Sequence, residues 1–400
     1  MVSYLILNEL HPDEQPGAAT LALDYAKTLS QTSEVFFLHT SEVLQHTEDQ
    51  VVFKRVGRRK YAISSGYLAE LYRIMKDLFC LTEARQFLKE IKCLNPKVIW
   101  IHQIGNHIPR LLLPLLPSIA PVIMTVHDYS LIVPRKLYPG DLSFKKLRKL
   151  RIKFNPPHKR TFFSLTKLLR HSVYSARRSI LRIYLRRVKI VCISEQQADI
   201  YRLHGYRVVA VIPNGIGICN CEMSNTPTKD TGVLFVGRTT GKGIDRLIAS
   251  LSNSRISSTF AGGEELRELV LSNSKRINAH FRGKLSRKEV FQEIHKAKLV
   301  YLASDCFDVY PNIGIEAIRH GALPIVSDTT GVRDLVRQIE PSLVLDATKE
   351  FAPLETYLEK IELNMDEIER KRILVNENLL TLEQSIERYL AIIRTCQIDF

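Results

Sequence analysis

The sequence is short of several features that define other kinds of protein. Its longest apolar stretch, residues 111–126, is cut by Pro114, Pro117 and Pro121. No segment therefore reads as a bilayer-spanning helix, which needs about 20 apolar residues in succession. The opening Met1-Val-Ser-Tyr-Leu-Ile-Leu-Asn-Glu9 is apolar, but it has no basic residue ahead of it and meets an acid early. That predicts a buried first strand and argues against a secretory leader. The seven cysteines are odd in number, scattered and mostly inside apolar runs, which predicts buried reduced thiols in place of a disulfide framework. Cys219-Asn-Cys221 is the one close pair, and it has no second pair or nearby His to complete a metal site. Neither a GxxxxGK[ST] loop nor a GxGxxG turn is present. A cytoplasmic chain is the expectation.

One segment lacks acid. Residues 135–189 hold 18 Lys or Arg and a single carboxylate, Asp141, for a net +17 within a chain total of +15. The basicity is thus local, and such a block favours an anionic membrane surface or a polyanion. Its Leu, Phe, Tyr and Ile are interleaved with the cations at roughly helical spacing, as in an interfacial amphipathic helix. Arg177, Arg178, Arg186 and Arg187 are the candidate membrane contacts, with a solvated helical face as the plainer alternative. No nucleic-acid motif accompanies the charge, so no nucleic-acid partner is expected.

A chain of 400 residues is too long for one hydrophobic core, and its 45% hydrophobic and 25% charged composition is that of a globular protein. Short strand-like runs recur at residues 4–7, 34–39, 98–101, 122–126, 189–193 and 208–212, those at 98–101 and 122–126 rich in β-branched residues. They recur again at residues 232–236, 258–261, 280–281, 299–303 and 323–327. Helical patterns separate many of them, notably residues 18–30, 244–250, 287–297 and 315–320. This grammar predicts α/β architecture with two doubly wound parallel sheets. The expected boundaries are 1–212 for an N-terminal domain carrying the basic insertion 135–189, and 213–380 for a C-terminal domain. Residues 381–400 form a last helix, for which the N-terminal domain is one available surface.

Two segments carry the chemistry. In Phe235-Val-Gly-Arg-Thr-Thr-Gly-Lys-Gly243 a strand runs into a glycine turn bearing Arg238 and Lys242, then into a helix. Glycine allows close backbone approach, and two cations beside a helix N-terminus suit a phosphate or diphosphate. In Asp308-Val-Tyr-Pro-Asn-Ile-Gly-Ile-Glu316 two carboxylates flank a turn that opens a helix. They can accept from sugar and ribose hydroxyls. By spacing alone, a surface turn with solvated cations and a pair of ordinary loop and helix acids remain open.

The order of these segments resembles retaining glycosyltransferase family 4. Its Glu-x7-Glu signature has its counterpart in Asp308-Val-Tyr-Pro-Asn-Ile-Gly-Ile-Glu316-Ala-Ile-Arg-His-Gly-Ala-Leu-Pro-Ile-Val326, with Asp308 where the family has Glu. Residues 235–243 look like its diphosphate loop, and Ile212-Pro-Asn-Gly-Ile216 like its hinge, with Gly217 in place of Asp. Thr125-Val-His-Asp-Tyr129 is similar to the strand end with the family's active-site His. Gln15-Pro16-Gly17-Ala18 stands loosely for its glycine loop, while Phe260-Ala-Gly-Gly263 and Phe281-Arg-Gly-Lys-Leu285 resemble the loops framing the base.

The resemblance implies a GT-B fold, two Rossmann-like doubly wound domains facing a central cleft. It also implies a retaining glycosyltransferase that uses a UDP- or GDP-sugar without a metal or other cofactor. Arg238 and Lys242 would neutralise the diphosphate, Glu316 would hold the ribose, and the amides of Asn312, Ile313 and Gly314 would meet sugar or phosphate. Gly237, Gly263 and Leu285 complete the expected donor site, and Gly17 marks the acceptor side. His127 and Asp308 would face the sugar, Asp308 with a reach about 1.5 Å shorter than Glu. The expected acceptor is a saccharide or lipid-linked saccharide at the cytoplasmic face of the membrane, as in surface polysaccharide or lipopolysaccharide synthesis. A non-catalytic GT-B scaffold that binds membrane or a partner enzyme is the alternative.

Overall fold

The computed structural model describes residues 3–11, 17–42, 47–57, 67–105, 107–133, 138–139, 165–217, 231–347, 349 and 352–398. They fall into two compact units. The first is drawn from Met1–Lys136, Arg148–Gly217 and Leu380–Phe400, the second from Leu137–Leu147 and Ile218–Leu379.

The first unit is built on β1 (Ser3–Leu7), β2 (Glu34–His39), β3 (Thr47–Glu48), β4 (Val51–Arg55), β5 (Val98–Ile101) and β6 (Val122–Val126). β8 (Lys189–Cys192) and β9 (Val208–Val211) complete it, while the two-residue β7 (Tyr138–Pro139), between β6 and β8 in sequence, belongs to the second unit. Eight of these strands form a sheet in the order β3-β4-β2-β1-β5-β6-β8-β9. Every pairing is parallel except β3 with β4. β1, β5 and β6 are buried along their whole length, which explains why they are largely apolar and do not alternate.

The second unit holds β10 (Thr231–Val236), β11 (Ser258–Ala261), β12 (Ala279–Phe281), β13 (Ala297–Leu302), β14 (Cys306–Phe307), β15 (Leu323–Ser327) and β16 (Val344–Leu345). Its parallel sheet runs β12-β11-β10-β13-β15-β16. In each sheet the first strand has its successors on one side and later strands on the other. A switch point therefore lies between β1 and β5, and another between β10 and β13. Loops leaving the carboxyl ends of such strands diverge to opposite faces and open a ligand crevice.

Two expected boundaries shift. The first unit continues to Gly217, five residues past the expected break, and β7 pairs antiparallel with β14 in the second unit, so residues 138–139 do not belong to an N-terminal insertion. The rest of the basic segment from 140 to 164, the Cys219/Cys221 pair and most of the expected linker lie outside the described residues. Among the described residues the free thiols divide: Cys192 and Cys306 are buried, Cys80 is half-buried and Cys93 is exposed.

The last helix, Leu382–Ile398, does return to the first unit. Leu382, Ile386, Tyr389 and Ile393 follow helical spacing and enter a core with Tyr25 and Trp100. The entry is tight. A Cβ on Gly215 would stand 2.5 Å from the Thr381 carbonyl oxygen, so the two crossing segments meet backbone to backbone. Hydrogen bonds fix the helix: Trp100 Nε1 donates to Thr125 Oγ1, which donates to the Tyr389 hydroxyl, and Tyr25 Oη pairs with Ser385 Oγ at 2.8 Å. Tyr389→Ala should therefore cost about 3–5 kcal/mol of unfolding free energy, as for other buried aromatics. Tyr389→Phe should cost about 1 kcal/mol, one hydrogen bond. Urea denaturation of both variants checks the difference.

Candidate functional site

The β10/β13 switch point brings the two chemistry-bearing segments together. Beyond β10, Gly237 (φ 143°), Gly241 (φ 74°) and Gly243 (φ 65°) take backbone angles that side chains resist. Gly243 has no room for one either, since its Cβ would stand 2.2 Å from the Ala303 carbonyl oxygen beyond β13. The two loops are laced together. Tyr301 Oη donates to the Gly243 carbonyl at 2.9 Å, and the Asp305 amide to that of Gly241 at 3.2 Å. Arg246, on the helix Ile244–Leu251, donates to the Ala303 carbonyl and pairs with Asp305 at 2.7 Å.

Lys242 Nζ forms an ion pair with Asp308 Oδ2, which also accepts from Ser304 Oγ at 3.2 Å. Arg238 is exposed on the same turn and has no carboxylate within ion-pairing distance among the described residues. The Cys306 thiol reports the local field. Burial pushes it up to about 11, aided by Asp308 and opposed by Lys242 and Arg238.

Glu316 lies on the helix Asn312–Arg319 with its side chain only 12% exposed, and the Arg287 guanidinium stands 3.8 Å from its Oε1. Arg287 was not expected here. It begins the helix Arg287–Lys296, which a Ser286/Glu289 capping box starts just after half-buried Leu285. One expected role changes: the Gly314 amide already donates to the Pro311 carbonyl at 2.9 Å. The Gly314 site packs against Leu302 and Val332, where a Cβ would come within 3.1 Å of each. The expected donor contact at this turn narrows to Asn312 and Ile313. Gly263 caps the helix Glu264–Asn273, and neighbouring Gly262 crosses Gly237, whose carbonyl oxygen would be 2.4 Å from an added Cβ.

In the first unit, His127 follows β6 and His102 follows β5, so pairing of the two strands sets the rings side by side. His102 Nδ1 lies 3.0 Å from His127 Nε2, and the rings stack at 5.2 Å between centroids. Burial lowers the pKa of both, that of His127 to about 4 with the Asp128 charge opposing, so neither is charged at neutral pH. His102 Nε2 is buried without a partner among the described residues. A buried bare nitrogen is less costly than an orphaned N–H, so the His102 proton sits on Nδ1 and is donated to His127 Nε2. His127 then carries its own hydrogen on Nδ1.

The loop after β6 is held from below. Arg177 donates to the Ser130 carbonyl at 2.7 Å and that of Leu131 at 3.3 Å. Tyr206 Oη donates to the Leu131 carbonyl, Tyr201 Oη to that of Asp128 and Gln197 Nε2 to that of Val126. This corrects the reading of Arg177 as a membrane contact. It is 3% exposed, and burial lowers its pKa to about 10 with Arg110 adding to the shift. Arg186 and Arg187 are exposed as expected, and Arg178 is half-buried. Gly17 precedes the first helix, Ala18–Ser30, at φ 97° with open space around its Cα. Among the described residues no helix is long and apolar enough to cross a membrane, and no group of three or more His, Cys, Asp or Glu is placed to hold a metal ion.

The depressed histidines have a pH consequence. An unfolded His titrates near 6.5 and His127 near 4, so between these values the unfolded state binds more protons. Stability should fall as pH is lowered from 6.5 to about 4, by about 3 kcal/mol from His127 alone. Urea midpoints across this range should show that fall, reduced in His127→Gln.

Residues 222–374 match the family model of glycosyl transferases group 1. No curated protein matches the sequence. Among solved structures, the chain is similar to sucrose-phosphate synthase of Thermosynechococcus elongatus, at 12% identity and a TM-score of 0.70 with both chains fully covered. It is also similar to HepE of Anabaena, solved with UDP and glucose, at 12% identity and a TM-score of 0.66 over 99% of this chain and 100% of that one. WaaG, a glycosyltransferase involved in lipopolysaccharide biosynthesis, aligns at 14% identity and a TM-score of 0.60 over 98% and 99%. The chain thus has the GT-B architecture of two parallel-strand α/β sheets, and the match to glycosyl transferases group 1 lies within its second unit.

Proposed function

We propose that the chain is a retaining glycosyltransferase whose nucleotide-sugar donor, a UDP- or GDP-sugar, binds at the β10/β13 switch point. The observation that carries this reading is the pairing of Lys242 with Asp308 beside Arg238, with the largely buried Glu316 on the helix that follows, inside the segment that matches the group 1 model. Arg238 and Lys242 neutralise the donor diphosphate without a metal. Glu316, oriented by Arg287, accepts from the ribose hydroxyls, while Asp308 reads a sugar hydroxyl. Within the first unit, His127 is the candidate substrate contact, a neutral hydrogen-bond donor through Nδ1.

In transfer with retention, the acceptor oxygen forms its bond to the anomeric carbon on the face that the diphosphate leaves. The acceptor proton passes to the departing phosphate oxygen, so no separate base is required. Positive charge pre-organised at the leaving group then lowers the barrier. HepE, solved with UDP and glucose, supports the choice of donor class, and the similarity to WaaG supports a saccharide or lipid-linked saccharide acceptor. The exposed Arg186 and Arg187 support contact with an anionic membrane surface, such as the cytoplasmic face offers.

A thermal-shift screen against UDP-, GDP-, ADP- and CMP-sugars identifies the donor, with stabilisation by one nucleotide class expected. With that donor and its acceptor, Arg238→Ala and Glu316→Ala should each lower transfer at least a hundredfold while melting as the unmodified protein does. Full activity in both variants would show the assignment to be wrong.

A further inference from the structure

A second basic site lies in the first unit, away from these residues. A groove of about 690 Å³ runs along the amino-terminal ends of β6, β8 and β9, with Pro121, Val122, Ile190 and Val209 among its walls. Arg182, Arg186, Arg187, Lys189 and Arg207 also line it, and none of its described lining residues is acidic. Arg182, Arg186 and Arg207 are exposed, and no carboxylate pairs with them among the described residues. Arg182 leans across Gly205, where a Cβ would stand 2.7 Å from its Nη1, and donates to Ser179 Oγ at 3.0 Å. The glycine thus leaves room for a guanidinium laid into the groove.

The groove sits at the opposite edge of the sheet from His127. β6 spans the five residues between them, about 17 Å at a strand's rise. It is therefore separate from the loops that carry the proposed chemistry.

We propose that this groove binds the phosphates of anionic lipid headgroups and so docks the chain on a membrane. Several guanidiniums with no acid among them suit phosphate oxygens, which they can hold through paired N–H donors. Free phosphate shares that chemistry, but the groove's rim favours a lipid. Ile183, which lines it between Arg182 and Arg186, is 54% exposed, and Val209 is 36% exposed. Apolar side chains left in water beside arginines match an interface where headgroups meet acyl chains. This inference rests on the membrane contact proposed above and gives it a location.

The test is sedimentation of the full chain with vesicles of phosphatidylcholine containing 30% phosphatidylglycerol, and with phosphatidylcholine alone. The expected result is binding to the anionic vesicles only, reversed by 0.5 M salt. The triple variant Arg182→Glu, Arg186→Glu, Arg207→Glu should bind them at least tenfold more weakly. A control reversing three exposed cations of the second unit, Arg255→Glu, Lys275→Glu and Arg276→Glu, should bind as the unmodified protein does. Both variants should keep the unmodified melting temperature and transfer to a water-soluble acceptor. Failure of the unmodified protein to bind would remove the membrane reading altogether. Equal binding by the triple variant would overturn the groove assignment alone. Stabilisation by inorganic pyrophosphate that the triple variant loses, without any vesicle binding, would reassign the groove to a free phosphate and overturn the lipid.

Discussion

The pairing of Lys242 with Asp308 joins the two halves of the proposed donor site before any ligand is present. Their loops leave neighbouring strands, β10 and β13, that diverge at a switch point, and divergence alone would leave an open crevice. The ion pair ties the two loops together, as do the hydrogen bonds of Arg246 and Tyr301 and the close backbone approach at Gly243. Both partners are partly buried, so removing either one strands a charge in a site of reduced polarity. The same pair makes the site self-neutralising. Arg238 keeps its charge available to a ligand, whereas that of Lys242 is shared until something with more negative charge than one carboxylate arrives. A diphosphate is such a group. In the proposed donor site Asp308 would act in two ways, reading the sugar and setting the electrostatic cost of admitting the phosphates.

The first unit meets the same positioning problem with neutral groups. His127 stands on a buried polar network: His102 beside it, Trp100 and Tyr25 packed at a tilt against His102, and Thr125 tied to Tyr389 of the returning C-terminal helix. The histidines cannot be charged in this setting, so orientation must come from hydrogen bonds and packing. Arg177, Tyr201, Tyr206 and Gln197 supply the rest by holding the carbonyls of the loop on either side of His127. The end of the chain thus contributes to the floor under a loop more than 250 residues earlier.

Much of the architecture was legible because parallel strands buried on both faces are largely apolar and do not alternate. The runs at 34–39, 98–101, 122–126, 258–261 and 323–327 mark strands to the residue. The turn at 237–243 and the acid pair at 308 and 316 stood out through the family resemblance, since spacing alone left solvated cations and ordinary acids open. What escaped depends on neighbours distant in sequence. Arg177 looked like one more surface cation in a charge run. Its burial follows from helical phase, since Arg177, Leu181 and Leu185 recur every four residues on the covered face. The partnership of His102 with His127 needs the pairing of β5 with β6. Arg287 reaches Glu316 only through the fold. The role of Gly314 in packing could not be separated from an amide role by spacing.

The claim at the centre of this account is that Lys242 leaves Asp308 for the donor diphosphate. Calorimetric titration of the nucleoside diphosphate that stabilises the chain, and of its parent nucleoside, into the unmodified protein and Asp308→Asn tests it directly. Freeing Lys242 should tighten diphosphate binding about tenfold, or 1.4 kcal/mol, and leave nucleoside binding unchanged. Diphosphate binding that is unchanged or weaker in a folded Asp308→Asn protein would contradict the account.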